Sequence, residues 1–204
     1  ATAQRFAEEG AKVIITDINQ EAVNSAAAQT PNAEGYAMNV TDRASIQAVV
    51  DQVMQKHSRI DILINNAGDM VQRVRLAEAT DEIIARVFDL NARSMIALSR
   101  EIIPSMRAQG SGAIINITSQ AARLGGTPGS GLYAASKGFV STYTKSLARE
   151  LIPFGIRVNA VAPGIIATPF QDVHSSPAFM EERKKIIPMG RLGRADECSG
   201  AMLF

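Results

Sequence analysis

Five short runs rich in β-branched and aliphatic residues recur along the chain, and stretches of helical period separate them. They are Lys12 to Asp17 (KVIITD), Glu34 to Met38, Ile60 to Asn65 (IDILIN), Ala113 to Thr118 (AIINIT) and Ile156 to Ala162 (IRVNAVA). Most are continuously apolar rather than alternating, as strands covered on both faces are. Between the second and third runs, Ile46, Val49, Val50, Val53 and Met54 follow the spacing of a one-sided helix behind the N-cap candidates Thr41 and Asp42. Asn19 likewise opens an Ala-rich helical stretch. This alternation predicts an α/β fold, a doubly wound and mostly parallel sheet with helices on both faces and right-handed crossovers. Ligands in such three-layer sheets lie at the carboxyl ends of the strands.

No linker or low-complexity break interrupts the series, so residues 1–204 read as one domain. Both ends are expected to be cut. The chain opens inside an amphipathic turn closing on Gly10 with no strand before it, and a helix beginning near Asp196 stops at Phe204. With 21 Lys and Arg against 20 Asp and Glu and no basic cluster, nothing marks a nucleic-acid or anionic-membrane surface. No apolar run approaches the roughly 20 residues that span a bilayer. A single cysteine, Cys198, excludes an internal disulfide and fits a cytoplasmic protein. His57 and His174 have no partners at metal-ligand spacing, so both read as surface histidines and no metal is expected.

Chemistry concentrates around YAASK, where Tyr133 and Lys137 stand four residues apart and so share one helix face. A nearby ammonium favours the phenolate, which predicts a lowered Tyr133 pKa and a usable proton donor; a surface Tyr–Lys pair is the bland alternative. Thr118 and Ser119 end the AIINIT run, where a hydroxyl can face a ligand or merely cap a loop. Asn91 falls on the apolar stripe of a long helix predicted over Asp81 to Arg107. A buried amide there needs partners, either core groups or a water or Lys near a site. Asp17 ends its run where a dinucleotide-binding unit places the acid that meets an adenosine ribose, although a helix N-cap is an equal reading. NNAG, Asn65 to Gly68, follows a buried run, and Gly68 permits close backbone approach to a ligand.

Taken in order, NNAG, Asn91, the NITS strand end, YAASK and VNAVAPGIIATP resemble the short-chain dehydrogenase/reductase family over essentially the whole chain. The resemblance implies a Rossmann-like fold, a nicotinamide cofactor and interconversion of a small-molecule ketone and alcohol. In it Tyr133 passes the proton, Lys137 holds the nicotinamide ribose, Ser119 positions the carbonyl and Asn91 supports a proton relay. It maps Asp17 to the adenosine ribose, Asn39 and Val40 to adenine, and Asn66, Ala67 and Gly68 to the riboses. Pro163, Gly164, Ile166 and Thr168 fall at the nicotinamide end. Asp17, followed by Ile18 and no basic residue, points to NAD, with NADP left open by the missing Gly-rich turn. That turn and the family's C-terminal strand are not among these residues, which are therefore expected to be a fragment.

Two departures qualify the match. Asn39 stands where many relatives carry Asp, and Ser119 lies fourteen residues before Tyr133, one more than the commonest spacing. The second leaves Thr118 as a competing assignment. The stretch Thr168 to Arg191 resembles a substrate loop, and its Phe170, Phe179 and Met180 suggest an apolar cover or, equally, a short helix packed on the core. The overall likeness points to 3-oxoacyl-thioester reductases or polyol and secondary-alcohol dehydrogenases. Long helices imply a homotetramer by the same resemblance. The rival of a different kind is a dinucleotide-binding sensor or scaffold without turnover.

Overall fold

A computed structural model describes residues 1–204. Five strands, β1 (Val13–Asp17), β2 (Ala33–Ala37), β3 (Ile62–Asn65), β4 (Gly112–Ile117) and β5 (Ile156–Val161), coincide with the five apolar runs to within two residues at each end. Every pairing is parallel. The strands form two ladders, β1 with β2 and β3–β4–β5, rather than one continuous sheet, because β1 and β3 are not hydrogen-bonded to each other. Chain order runs outward in opposite directions from that break. Ligands in α/β sheets bind beyond the carboxyl ends of the strands, here past Asp17, Asn65 and Ile117.

Helices begin where the capping chemistry predicts. Asn19 accepts the amides of Glu21 and Ala22 to start α2 (Gln20–Ala28), and Asp42 accepts Ala44 N to start α3 (Arg43–His57). Asp17 is not the cap of α2: its carboxylate accepts Asn19 N at 2.9 Å and sits one step outside. The helix predicted as continuous over Asp81 to Arg107 is divided. It consists of α4 (Asp81–Phe88), a π turn (Asp89–Arg93) and α5 (Ser94–Gln109). The extra residue of a π turn rotates the side chains beyond it, and such turns gather at functional sites.

Period-two alternation along β3 and β4 sorts their side chains between two cores. Leu63 and Ile114 point into the larger one, with Ile46, Val49 and Val53 of α3, Leu98, Ile102 and Met106 of α5, and Leu147 and Leu151 of α7 (Gly131–Leu151). Ile64, Ile115 and Ile117 face the other side, where Phe6 of α1 (Thr2–Glu8) meets Met202 of α10 (Ala195–Leu203). At the end of β3, Asn65 lies on the larger-core face and is buried. Its amide donates to Asn116 Oδ1 at 2.8 Å and to Ser99 Oγ, and Asn116 donates onward to Thr144 Oγ1. This polar ladder satisfies amides that would otherwise be costly inside an apolar layer, and it ties β3 and β4 to α5 and α7. The short helix α6 (Ala121–Leu124) follows the carboxyl end of β4, and α8 (Pro169–His174) and α9 (Pro177–Ile186) follow that of β5.

Candidate active site

At the end of β4 a reciprocal pair of bonds locks the strand to α7. Thr118 Oγ1 donates to the Lys137 carbonyl at 2.7 Å, and Lys137 Nζ reaches back to the Ile117 carbonyl at 2.8 Å. Thr118 is buried and also meets Ser141 Oγ, so its hydroxyl is committed to the scaffold. Ser119 is the one left to face Tyr133. Its oxygen accepts Ala121 N at 3.1 Å and favours the phenolate of Tyr133. The tertiary contacts thereby separate two neighbouring hydroxyls that the sequence left in competition.

Tyr133 and Lys137 do share a helix face, but the ammonium turns away from the phenol. Lys137 Nζ lies 5.9 Å from the Tyr133 ring centroid and points at Ile117 O. The expected lowering of the Tyr133 pKa does not appear. Burial pushes it up, the Ser119 hydroxyl pulls the other way, and the charge of Asp69 adds to the rise. At neutral pH the phenol is therefore protonated, a proton donor as it stands. Burial also drives Lys137 down to about 8, since an ammonium only 3% exposed has lost most of its hydration.

Asn91 occupies the π turn and is buried, its amide nitrogen donating to the carbonyls of Asp69 (2.7 Å) and Val87 (2.8 Å). Its Oδ1 is buried with no hydrogen-bond partner. Gly68 explains where that oxygen points. A Cβ on Gly68 would stand 2.6 Å from Asn91 Oδ1 and 2.7 Å from Lys137 Nζ. Close backbone approach, read from the sequence as serving a ligand, is also required by two protein side chains that converge behind the glycine. An orphaned acceptor beside an ammonium is the kind of place a bridging water or a polar ligand group fills.

The remaining predicted residues distribute along the crevice. Asp17 and Ile18 are exposed at the end of β1, with no basic side chain bonded to the carboxylate. Asn39 spends its Oδ1 on the Thr41 amide and hydroxyl, so only its NH2 remains for a ligand; Val40 follows it, half-buried. Asn66, Ala67 and the front of Gly68 are exposed past β3. Past β5, Pro163 O accepts Gln120 N, Gly164 is open, and Ile166 pairs with Gly193 just before Thr168. Open carboxylate, amide and backbone groups along the strand ends lead to a half-buried Tyr133 and a buried Lys137.

Two residues were missed. His174, expected at the surface, has a side chain only 6% exposed and bonds Asp69 through Nε2. The partners lie 105 positions apart, and no local pattern connects them. Phe170 realises the expected cover, its ring 5.7 Å from that of Tyr133, whereas Phe179 lies under the guanidinium of Arg183, and Met180 is half-buried beside it in α9. His57 is half-buried beside Glu34.

A family model described as "Enoyl-(Acyl carrier protein) reductase" matches residues 1–204. The chain is 39% identical over 208 residues to a 3-oxoacyl-[acyl-carrier-protein] reductase of Thermotoga maritima, covering all of this chain and 83% of that protein. Among solved structures, an NAD+-bound xylitol dehydrogenase superposes with a TM-score of 0.92 at 28% identity, covering 100% of this chain and 85% of the other. A 3-ketoacyl-(acyl-carrier-protein) reductase from Brucella melitensis complexed with NADH gives a TM-score of 0.92 at 32% identity, covering 100% and 83%.

Proposed function

The chain belongs to the short-chain dehydrogenase/reductase family, and from that premise we propose how its residues carry out the chemistry. It is a nicotinamide-dependent oxidoreductase that interconverts a ketone and a secondary alcohol on a small-molecule substrate. The observation that carries the assignment of roles is the convergence of Asn91 Oδ1 and Lys137 Nζ behind Gly68, on the helix face that also presents Tyr133 to Ser119.

Tyr133 donates the proton to the carbonyl oxygen when a ketone is reduced and removes it from the alcohol in the reverse direction. Ser119 donates a hydrogen bond that aims the substrate oxygen at the phenol. Lys137 holds a ribose hydroxyl, and with the unpaired Asn91 Oδ1 it supports replacement of the proton from the interior side. Bound NAD(H) supplies or accepts the hydride. Asp17, Asn39, Val40, Asn66, Ala67 and Gly68 would hold its adenosine half, and Pro163, Gly164, Ile166 and Thr168 its nicotinamide half. Preference for NAD(H) over NADP(H) is supported by the exposed Asp17 carboxylate, which repels a 2′-phosphate and has no basic side chain bonded to it. No helix is long and apolar enough to cross a membrane; a cytoplasmic location, and residues 1–204 as one dinucleotide-binding domain, belong to this reading.

The test is Tyr133→Phe in the protein, with NADH and NADPH binding followed by nicotinamide fluorescence beside turnover of 3-oxoacyl thioesters and polyols. Removing only the transferable proton is expected to slow turnover by about 10²- to 10⁴-fold while NADH binding stays within about twofold. Turnover at the wild-type rate in this variant would overturn the mechanism. Tight NADH binding by the wild-type protein with no turnover of any ketone would favour the sensor reading.

A further inference from the structure

A single stretch, Gly68 to Val74, holds both the interior of the site and its cover. The Asp69 carbonyl accepts the Asn91 amide at 2.7 Å, and its carboxylate accepts the His174 Nε2 hydrogen at 2.5 Å. His174 is the last residue of α8 and its ring is buried. That ring packs 4.7 Å from Phe170, whose other neighbour is Tyr133 at 5.7 Å. Arg73 adds a second tie, donating to the His174 carbonyl at 3.2 Å while its other nitrogen is anchored on Thr127 Oγ1 and Pro128 O.

We propose that Asp69 and His174 form a positioning pair that clamps Phe170 over Tyr133 and so sets the width of the substrate pocket, favouring secondary alcohols whose substituents are compact on the side facing α8. The inference rests on the oxidoreductase reading above. A buried imidazole whose N–H is bonded to a carboxylate has one orientation, and the Phe170 ring, tilted 58° against it at 4.7 Å, is held by that contact. Without the bond, α8 keeps only the Arg73 tie at its end, and Phe170 is free to swing away from the phenol. Neither Asp69 nor His174 touches the reacting atoms in this arrangement. His174 acts through Phe170 on which substrates are admitted; Asp69 does so through His174 and, by its charge, also bears on the Tyr133 phenol.

The experiment combines His174→Ala, Asp69→Ala and the double variant with the conservative His174→Gln, whose side-chain amide can donate to the same carboxylate. Kinetics are measured on a series from cyclopentanol to long-chain 2-alkanols, and amide hydrogen exchange is followed in α8. The expected result is a rise in KM for cyclopentanol of about tenfold in each Ala variant, with kcat within about threefold in His174→Ala, and a preference shifted at least about tenfold toward the long alcohols. The double variant is expected to be no worse than either single one, and His174→Gln to recover most of the loss. Amides of α8 should exchange about tenfold faster in the Ala variants while those of α7 are unchanged. Unchanged α8 exchange, or additive losses without a change in substrate preference, would overturn the proposal. The exchange readout needs no turnover, so a protein inactive on every alcohol would defeat the oxidoreductase reading while still deciding whether the pair clamps α8.

Discussion

Gly68→Ala adds one methyl group to the place where the site's buried polar groups meet. The new Cβ would lie 2.6 Å from Asn91 Oδ1 and 2.7 Å from Lys137 Nζ, distances that non-bonded atoms do not tolerate. Asn91 cannot easily move, because its amide nitrogen is held by two carbonyls on different elements. Lys137 Nζ is the far end of a flexible chain and will move first, away from its bond to Ile117 O. Overpacking of this kind costs about 1–3 kcal/mol, and a hydrogen bond to a charged group is worth about 1.5–3 kcal/mol. If a comparable amount is lost from the arrangement that supports Tyr133, at about 1.4 kcal/mol per tenfold in rate, kcat/KM falls roughly 10- to 100-fold. Melting temperature should drop by about 2–12 °C, at about 2–4 °C per kcal/mol for a chain of this size. Steady-state kinetics and thermal unfolding on the same preparation measure both quantities. A variant with kcat/KM within about twofold of wild type would refute the argument that the glycine is required by Asn91 and Lys137.

Two further outcomes are expected. Lys137 titrates in the folded chain near 8 against an ordinary 10.5, so between those values the unfolded chain binds the additional proton and stability rises with pH. Denaturant titrations of wild type and Lys137→Met at pH 7.5 and pH 10 should show the wild type gaining on the variant by about 3 kcal/mol at most; a gap that narrows with rising pH would contradict the buried-ammonium account. On α7, Phe139 is 38% exposed and stacks on Tyr143 at 5.5 Å, and the homotetramer expected from the family resemblance would pair through this helix. Sedimentation equilibrium should return the mass of four chains and a smaller species for Phe139→Asp, whereas a monomer at micromolar concentration would dismiss it.

Elements whose determinants lie within a few residues were legible before any coordinates. Most of the five strands announce themselves by continuous apolar runs, and α2 and α3 by the caps Asn19 and Asp42. Placing Tyr133 and Lys137 on one face needed only the pitch of a helix. The division of the helix at Asp89–Arg93 was not legible, because a π turn keeps the apolar stripe while changing which residue points at the site.

Direction of side chains across elements was beyond the sequence for a more general reason. Spacing says that a Lys stands one turn from a Tyr, but which acceptor the ammonium chooses depends on what else lies within reach, and here the Ile117 carbonyl wins over the phenol. Burial then reverses the expected sign of the Tyr133 shift. The same holds for Gly68, whose value lies in Asn91 and Lys137 behind it, and for His174, whose partner Asp69 is 105 residues away. Local propensity, capping and hydrophobic period act between near neighbours and are written in the sequence. Proton affinities, orphaned acceptors and long-range pairings depend on desolvation and on which distant groups the packing brings together, and only the tertiary structure decides those.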